Sequence, residues 1–306
     1  MKIRIQLLSV FFTGIFLACS GGQEMQIQSM ETNNIQDEKP SGYFHTKLGL
    51  IAYWIKGKGE NLILLHSAGP GHEHRDFDAI IPKLSESYRV ISLDWPGHGK
   101  SEFPNPLESA SAVSYAEILP DLIKQLAPGG AILIGNSLGG FASIKLAVEK
   151  PDLVKGLILV DTGGMNDPDF KTRTFVKLMS NLWFTGVTWN AFPNYYLKVE
   201  NRYTKSLLDR VKEKENIEGS KQIRTSLWKS FSDEGHDMRE RVSGITVPTL
   251  IVWGEKDPVI LPEFGEKLSQ KIKGSQLVFL QTGHVPFAED PETFLKITIP
   301  FLKSIR

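Results

Sequence analysis

Three residue types in a suggestive order mark where this chain could do covalent chemistry. Ser137 stands in Gly135-Asn136-Ser137-Leu138-Gly139, directly after the apolar run Ala131-Ile-Leu-Ile134. A serine hydroxyl is a weak nucleophile and needs a base within hydrogen-bond reach, and the base needs a third group to fix its tautomer and stabilise its charge. Downstream, Asp257 follows the apolar run ending at Trp253, and His284 follows the next one. The set Ser137, Asp257, His284 can therefore attack and release an acyl group. Asp161, at the end of another apolar run, is an alternative carboxylate, less favoured because its surroundings lack the turn pattern around Asp257.

Such a set works only if strand ends bring it together. The apolar run before Ser137 has strand length, and Phe141 to Lys150 carries helix-compatible small residues, so the serine sits at a strand–turn–helix apex. Further strands are expected at Tyr43–Lys47, Leu50–Lys56, Asn61–Leu65, Tyr88–Leu93, Val154–Val160, Thr249–Trp253 and Gln276–Leu280. Helices are expected at His72–Ser87, Ser114–Leu126 and Pro262–Ile272, with a last one opened by Asp290-Pro291. Strands alternating with helices imply an α/β fold with a doubly wound, mostly parallel sheet. Residues 43–162 and 244–306 form its core. Residues 163–243 lose the strand signal and gain aromatics, among them Trp183, Trp189 and Trp228, and read as a helical cap inserted after the sixth strand. Trp183 and Trp189 are candidates to line an apolar pocket under that cap.

Lys2, Arg4 and the apolar stretch from Leu7 to Ala18 form a secretory signal peptide, residues 1–18, too short to span a membrane comfortably. Phe16-Leu17-Ala18-Cys19 resembles a bacterial lipobox, with Phe16 where Leu is usual. The resemblance implies lipidation of Cys19 and an exported, membrane-anchored protein; cleavage near Ser20 to Gly22, giving a periplasmic or secreted chain, is the alternative. Residues 19–42 are polar and aperiodic, a flexible tether whose ~20 residues would reach roughly 25 Å. The single cysteine excludes an intramolecular disulfide and a cysteine metal cluster. Thirty-five basic residues against 35 acidic give no nucleic-acid footprint. The chemistry calls for no metal and no cofactor. His72 and His74, two apart on an expected helix, do not make a metal pair.

From about Tyr43 to Arg306 the chain resembles the α/β-hydrolase fold superfamily. Five motifs carry the likeness in order: His66-Ser-Ala-Gly-Pro-Gly71, Asp94-Trp-Pro-Gly-His-Gly-Lys-Ser101, Gly135-Asn-Ser-Leu-Gly139, Gly254-Glu-Lys-Asp257-Pro258 and Gly283-His284. The resemblance implies Ser137 as nucleophile, His284 as base and Asp257 as its orienting acid. It implies an oxyanion hole from the backbone N–H groups of Leu138 and Ala68. His66 braces the oxyanion loop, and Asp94 and His98 hydrogen-bond within their own turn. Ser67 replaces the usual glycine and is a substrate-pocket candidate, as is Val285. The branch that cleaves carbon–carbon bonds in ring-cleavage products has a tryptophan after its histidine, where Val285 stands here. A small, largely apolar carboxylic ester or lactone is therefore preferred, with carbon–carbon hydrolysis as the alternative. A reading of another class, a non-catalytic ligand-binding surface lipoprotein, would be expected to have lost a triad member, and all three are present.

Overall fold

Eight strands form one sheet in this computed structural model, which describes residues 38–166 and 169–305. Cys19, the signal segment and the tether up to residue 37 lie outside the described residues. The strands are β1 (Gly42–Thr46), β2 (Gly49–Lys56), β3 (Glu60–Leu65), β4 (Tyr88–Leu93), β5 (Ala131–Asn136), β6 (Val154–Val160), β7 (Thr249–Gly254) and β8 (Gln276–Leu280). Their spatial order is β1-β2-β4-β3-β5-β6-β7-β8. The β1–β2 and β2–β4 pairs are antiparallel, and every other pair is parallel. The α helices are α1 (Ile81–Leu84), α2 (Ala112–Ala116), α3 (Leu119–Leu126), α4 (Leu138–Glu149), α5 (Phe170–Met179), α6 (Leu182–Thr188), α7 (Phe192–Tyr196), α8 (Arg202–Lys214), α9 (Ser220–Ser230), α10 (Pro262–Lys271), α11 (Pro286–Glu289) and α12 (Pro291–Ser304).

The continuous apolar strands make sense because both sheet faces are covered. Along β3, Leu62 and Leu64 enter one core cluster while Ile63 and Leu65 enter the other. The same alternation splits Ile132 and Ile134 from Leu133 on β5, so each strand feeds two cores with period two. Between β6 and β7 the chain carries α5 to α9 and, among the described residues, no strand.

Two helix expectations fail for local reasons. In place of a helix over His72–Ser87 there is a short 3₁₀ turn, His74–Phe77, and then the four-residue α1. His74 accepts that conformation because its backbone N–H and its ring Nδ1 both reach Asp94 Oδ1, at 2.7 and 2.9 Å. His72 and His74 thus lie on loop and turn, not on faces of one helix. The expected helix over Ser114–Leu126 splits into α2 and α3. Pro120 lacks the N–H that would bond the carbonyl of Ala116, where α2 ends.

The sheet positions the apex serine by bringing backbones unusually close. A Cβ on Gly139 would lie 2.1 Å from the carbonyl oxygen of Leu65 on β3, and one on Gly135 would lie 2.3 Å from the carbonyl oxygen of Gly139. Neither obstacle is a side chain that can swing away. Gly139→Ala is expected to lower stability by about 1–3 kcal/mol, read as a lower urea midpoint at unchanged m-value. An unaltered midpoint would show that α4 is free to move off β3.

Candidate active site

Ser137 occupies the junction of β5 and α4 with φ 53° and ψ −109°, a conformation that costs a non-glycine residue energy and must be held by its surroundings. The holding contacts are backbone hydrogen bonds. Ser137 N–H donates to the carbonyl of Val160 at the end of β6 (3.1 Å), and its own carbonyl accepts from Gly163 N–H at 3.0 Å. Leu138 is the first residue of α4, so its N–H has no acceptor within the helix and points from the positive end of a twelve-residue helix.

His284 follows β8 and lies buried with its Nδ1 2.6 Å from Asp257 Oδ2. The other carboxylate oxygen of Asp257 accepts from the N–H groups of Val259 (2.8 Å) and Ile260 (3.3 Å), which fixes its plane. Asp161 is a close third member: its carboxylate, that of Asp257 and the His284 imidazole place ligand atoms within 4.8 Å of one another. Asp161 has φ 41° and is fully buried, and its Oδ1 accepts from Gly254 N–H at 2.8 Å. Burial, reinforced by the neighbouring Asp257 charge, raises its pKa well above the usual carboxylate range. Its Oδ2 has no N–H donor. A protonated Asp161 resolves this, because its O–H can then donate to Asp257.

The loop after β3 is braced by neutral histidines. His66 Nδ1–H donates to the carbonyl of Ser67 (2.7 Å), and its Nε2 accepts from Trp95 N–H at 3.1 Å. His98 Nδ1–H donates to Pro96, and its Nε2 accepts from Gly69 N–H at 3.0 Å. Burial lowers the pKa of His66 to about 3 and that of His98 to about 4, so both keep these tautomers at neutral pH. Asp94 accepts from the backbone N–H groups of His74 and Lys100, closing the second turn.

These loops and the cap enclose a cavity of about 400 Å³. Ser67, Ala68, Ser137, Leu138, Trp189 and His284 all line it, so the expected nucleophile, base, donor loop and one expected aromatic meet in one space. Two expected pocket residues do not belong there. Trp183 turns to solvent, 80% exposed on α6. Val285 is fully buried in the core cluster beneath the histidine loop, because α11 begins at the next residue and its first turn draws the side chain inward.

The profile of the alpha/beta hydrolase family matches residues 62–297. The chain belongs to that family. It is 30% identical over 269 residues to a 2-hydroxy-6-oxononadienedioate/2-hydroxy-6-oxononatrienedioate hydrolase of Burkholderia vietnamiensis, covering 83% of this chain and 91% of that protein. It is 27% identical over 261 residues to a pimeloyl-[acyl-carrier protein] methyl ester esterase of Neisseria meningitidis, covering 80% and 93%. Among solved structures, the enol-lactonase of Burkholderia xenovorans LB400 superposes with a TM-score of 0.73 at 21% identity, over 86% of this chain and all of that one.

In this hydrolase the helical segment between β6 and β7 is bonded directly to the histidine loop, through residues that carry no motif. The carbonyl of Tyr196, the last residue of α7, accepts from His284 N–H at 3.1 Å. A Cβ on Gly283 would lie 1.9 Å from that carbonyl, so the close approach requires glycine. Buried Glu289 bridges the two sides: one oxygen accepts from Lys198, Val199 and Gly283 N–H, the other from Val285 N–H. A second link joins His72 to the cap. His72 Nδ1 lies 2.6 Å from Asp76 and its Nε2 2.9 Å from the Tyr196 hydroxyl. Arg210 of α8 binds Asp76 at 2.6 Å. Burial alone would raise the Asp76 pKa, but His72 and Arg210 outweigh it and hold the carboxyl down at about 2. His236 also lines the cavity; burial lowers its pKa to about 4. Trp189 packs against Gly69 of the donor loop, and its indole N–H meets no acceptor among the described residues.

Asp161 has a testable signature. With a folded pKa above its unfolded value of about 3.9, the native state binds this proton more tightly, so stability falls as pH rises from the unfolded pKa toward the folded one. Asp161→Asn keeps the donor to Asp257 and removes the titration. Its thermal midpoint is expected to gain on wild type as pH goes from 4.5 to 7, whereas a constant difference would mean that Asp161 is ionised in the fold.

Proposed function

We propose that this hydrolase cleaves a small, largely apolar carboxylic ester or lactone through an acyl-enzyme on Ser137. The observation that carries the reading is a strained serine at a helix N-terminus that shares a cavity with His284, whose far nitrogen is bonded to a buried Asp257. Ser137 Oγ attacks the carbonyl carbon and its proton passes to His284 Nε2. Asp257 holds the imidazole in that tautomer and stabilises the imidazolium. The negative charge on the former carbonyl oxygen falls to the N–H groups of Leu138 and Ala68, in a site where one such donor is commonly worth ~10²–10³ in rate. The intermediate collapses, the alcohol leaves with the proton from His284, and water then repeats the sequence on the acyl-enzyme.

The lining supports this substrate class. Phe175, Val176, Trp189, Phe192, Trp228 and Phe231 supply an apolar wall. Lys171 is the cation of the described lining; it is exposed, and the exposed carboxylates Asp169 and Glu263 line the same cavity. A dicarboxylate, which the name of the Burkholderia vietnamiensis relative specifies, would bury charge without an enclosed cationic partner, at high cost. An uncharged acyl ester has no such cost. Sequence likeness to that relative remains the support for the carbon–carbon alternative. For localisation, the Cys19 context favours a lipid-anchored exported protein.

Short and medium p-nitrophenyl acyl esters are expected to turn over, and a vinylogous diketone acid is not; turnover of the diketone alone would move the assignment to carbon–carbon hydrolysis. Asp257→Asn is expected to lower kcat on esters by about 10⁴ through the wrong imidazole tautomer, and Asp161→Asn by far less. The reverse order of effects would make Asp161 the catalytic acid.

A further inference from the structure

Exposed apolar side chains are concentrated on one part of the cap. Of the nine strongly exposed large apolar residues among those described, six fall between 170 and 195, so the exposure is not scattered: Phe170, Leu178, Leu182, Trp183, Val187 and Tyr195. Phe170 (84%) and Val187 (74%) are as open as Trp183. They belong largely to α5 and α6, two helices in contact with each other. Keeping a tryptophan and a phenylalanine in water forgoes burial that a folded domain ordinarily secures, and large exposed apolar patches mark interaction sites.

Two further observations select the occupant. Residues 170–196 contain Lys171, Arg173 and Lys177 and not one aspartate or glutamate, in a chain whose total charge is balanced. Apolar side chains set among cations, with Asp169 at the start of α5 as the one neighbouring acid among the described residues of the segment, suit an anionic lipid surface, where each basic residue near the headgroups adds attraction and tryptophan settles at the interface. The sequence of the first 42 residues, with the lipobox-like Cys19 and a polar tether, would keep the domain within reach of a bilayer. The patch also adjoins the cavity: Asp169, Lys171 and Thr172, on either side of Phe170, line it, as does half-exposed Leu261 across from them.

We propose that α5 and α6 rest on an anionic lipid bilayer and that the cavity beneath the cap takes its ester from that surface, which makes the substrate a lipophilic, membrane-partitioning ester. The substrate part rests on the hydrolase reading above; the docking part does not.

The protein contains its own reporter. Trp54, Trp95, Trp189, Trp228 and Trp253 are buried, which leaves Trp183 as the exposed tryptophan. The full-length chain, produced in a bacterial expression host, is added to vesicles of phosphatidylethanolamine and phosphatidylglycerol with brominated acyl chains. Tryptophan emission should be quenched by the bromines and protected from aqueous acrylamide, and both changes should vanish in Trp183→Phe. Phe170→Asp combined with Val187→Asp should cut the turnover of a vesicle-dissolved ester by about tenfold or more, with hydrolysis of a water-soluble ester unchanged. Ser137→Ala should keep the quenching, which separates docking from catalysis, and the optical readout requires no lipid on Cys19. Trp183 equally open to acrylamide with and without vesicles, and untouched by brominated chains, would overturn the proposal. So would acrylamide protection that grows with protein concentration without lipid, since that assigns the patch to a second copy of the chain.

Discussion

The close approach of backbones between residues 135 and 139 is the constraint on which the rest of the site depends. Leu65 on β3 leaves no room for a side chain on Gly139, and the carbonyl of Gly139 leaves none on Gly135. With α4 seated that close, the residue between strand and helix must turn through positive φ, and Ser137 is the residue that does so. The turn gives the serine a fixed direction and places the N–H of Leu138 beside it at a helix N-terminus. Its cost in backbone strain is met by hydrogen bonds to the end of β6 and to Gly163, where the chain leaves the sheet for the cap. Ser137, the N–H of Leu138 and the entry to the segment between β6 and β7 are thus set by one piece of packing.

The histidine side of the site is held from the opposite direction. Tyr196 and the Lys198–Val199 segment of the cap bond to the histidine loop, partly through the buried carboxylate of Glu289. Arg210 and Tyr196 grip the loop after β3 through Asp76 and His72. The segment between β6 and β7 therefore helps to define the site, and a shift of α7 or α8 would be felt at His284 and at the loop after β3 together. Burial lowers the pKa of His66 and His98, and as neutral groups they brace the loop after β3 without adding charge to it. Behind Asp257, burial and the Asp257 charge raise the pKa of Asp161, which favours its uncharged form where a second carboxylate would repel.

Legibility in the sequence followed the range of the interactions. Ser137, Asp257 and His284 stand in short turns at the ends of apolar strands, and the parallel sheet brings such ends together, so it could be anticipated from local pattern that Ser137 and His284 share a cavity with Asp257 bonded behind His284. His66 as a brace was legible for the same reason. Glu289, Tyr196, His72 and Asp76 were not, because the contacts that tie the loops to α7, α8 and the chain between them join positions about ninety or more apart. Trp183 and Trp189 look alike as aromatics in a helical segment, but Trp183 lies on the outer side of α6 while Trp189 opens the 3₁₀ turn after it and packs against Gly69. Val285 was misjudged because the turn into α11 points it to the core. The expected helix after the donor loop failed because Asp94, twenty residues on, captures His74.

The central claim is that Ser137 is an activated nucleophile, and covalent labelling tests it most directly. A fluorophosphonate incubated with the folded protein should add one phosphonyl group per chain. Peptide mass spectrometry should find it on Ser137, and Ser137→Ala should take up none. A folded wild-type protein that stays unmodified, or that carries the label on another serine with Ser137 untouched, would contradict the account.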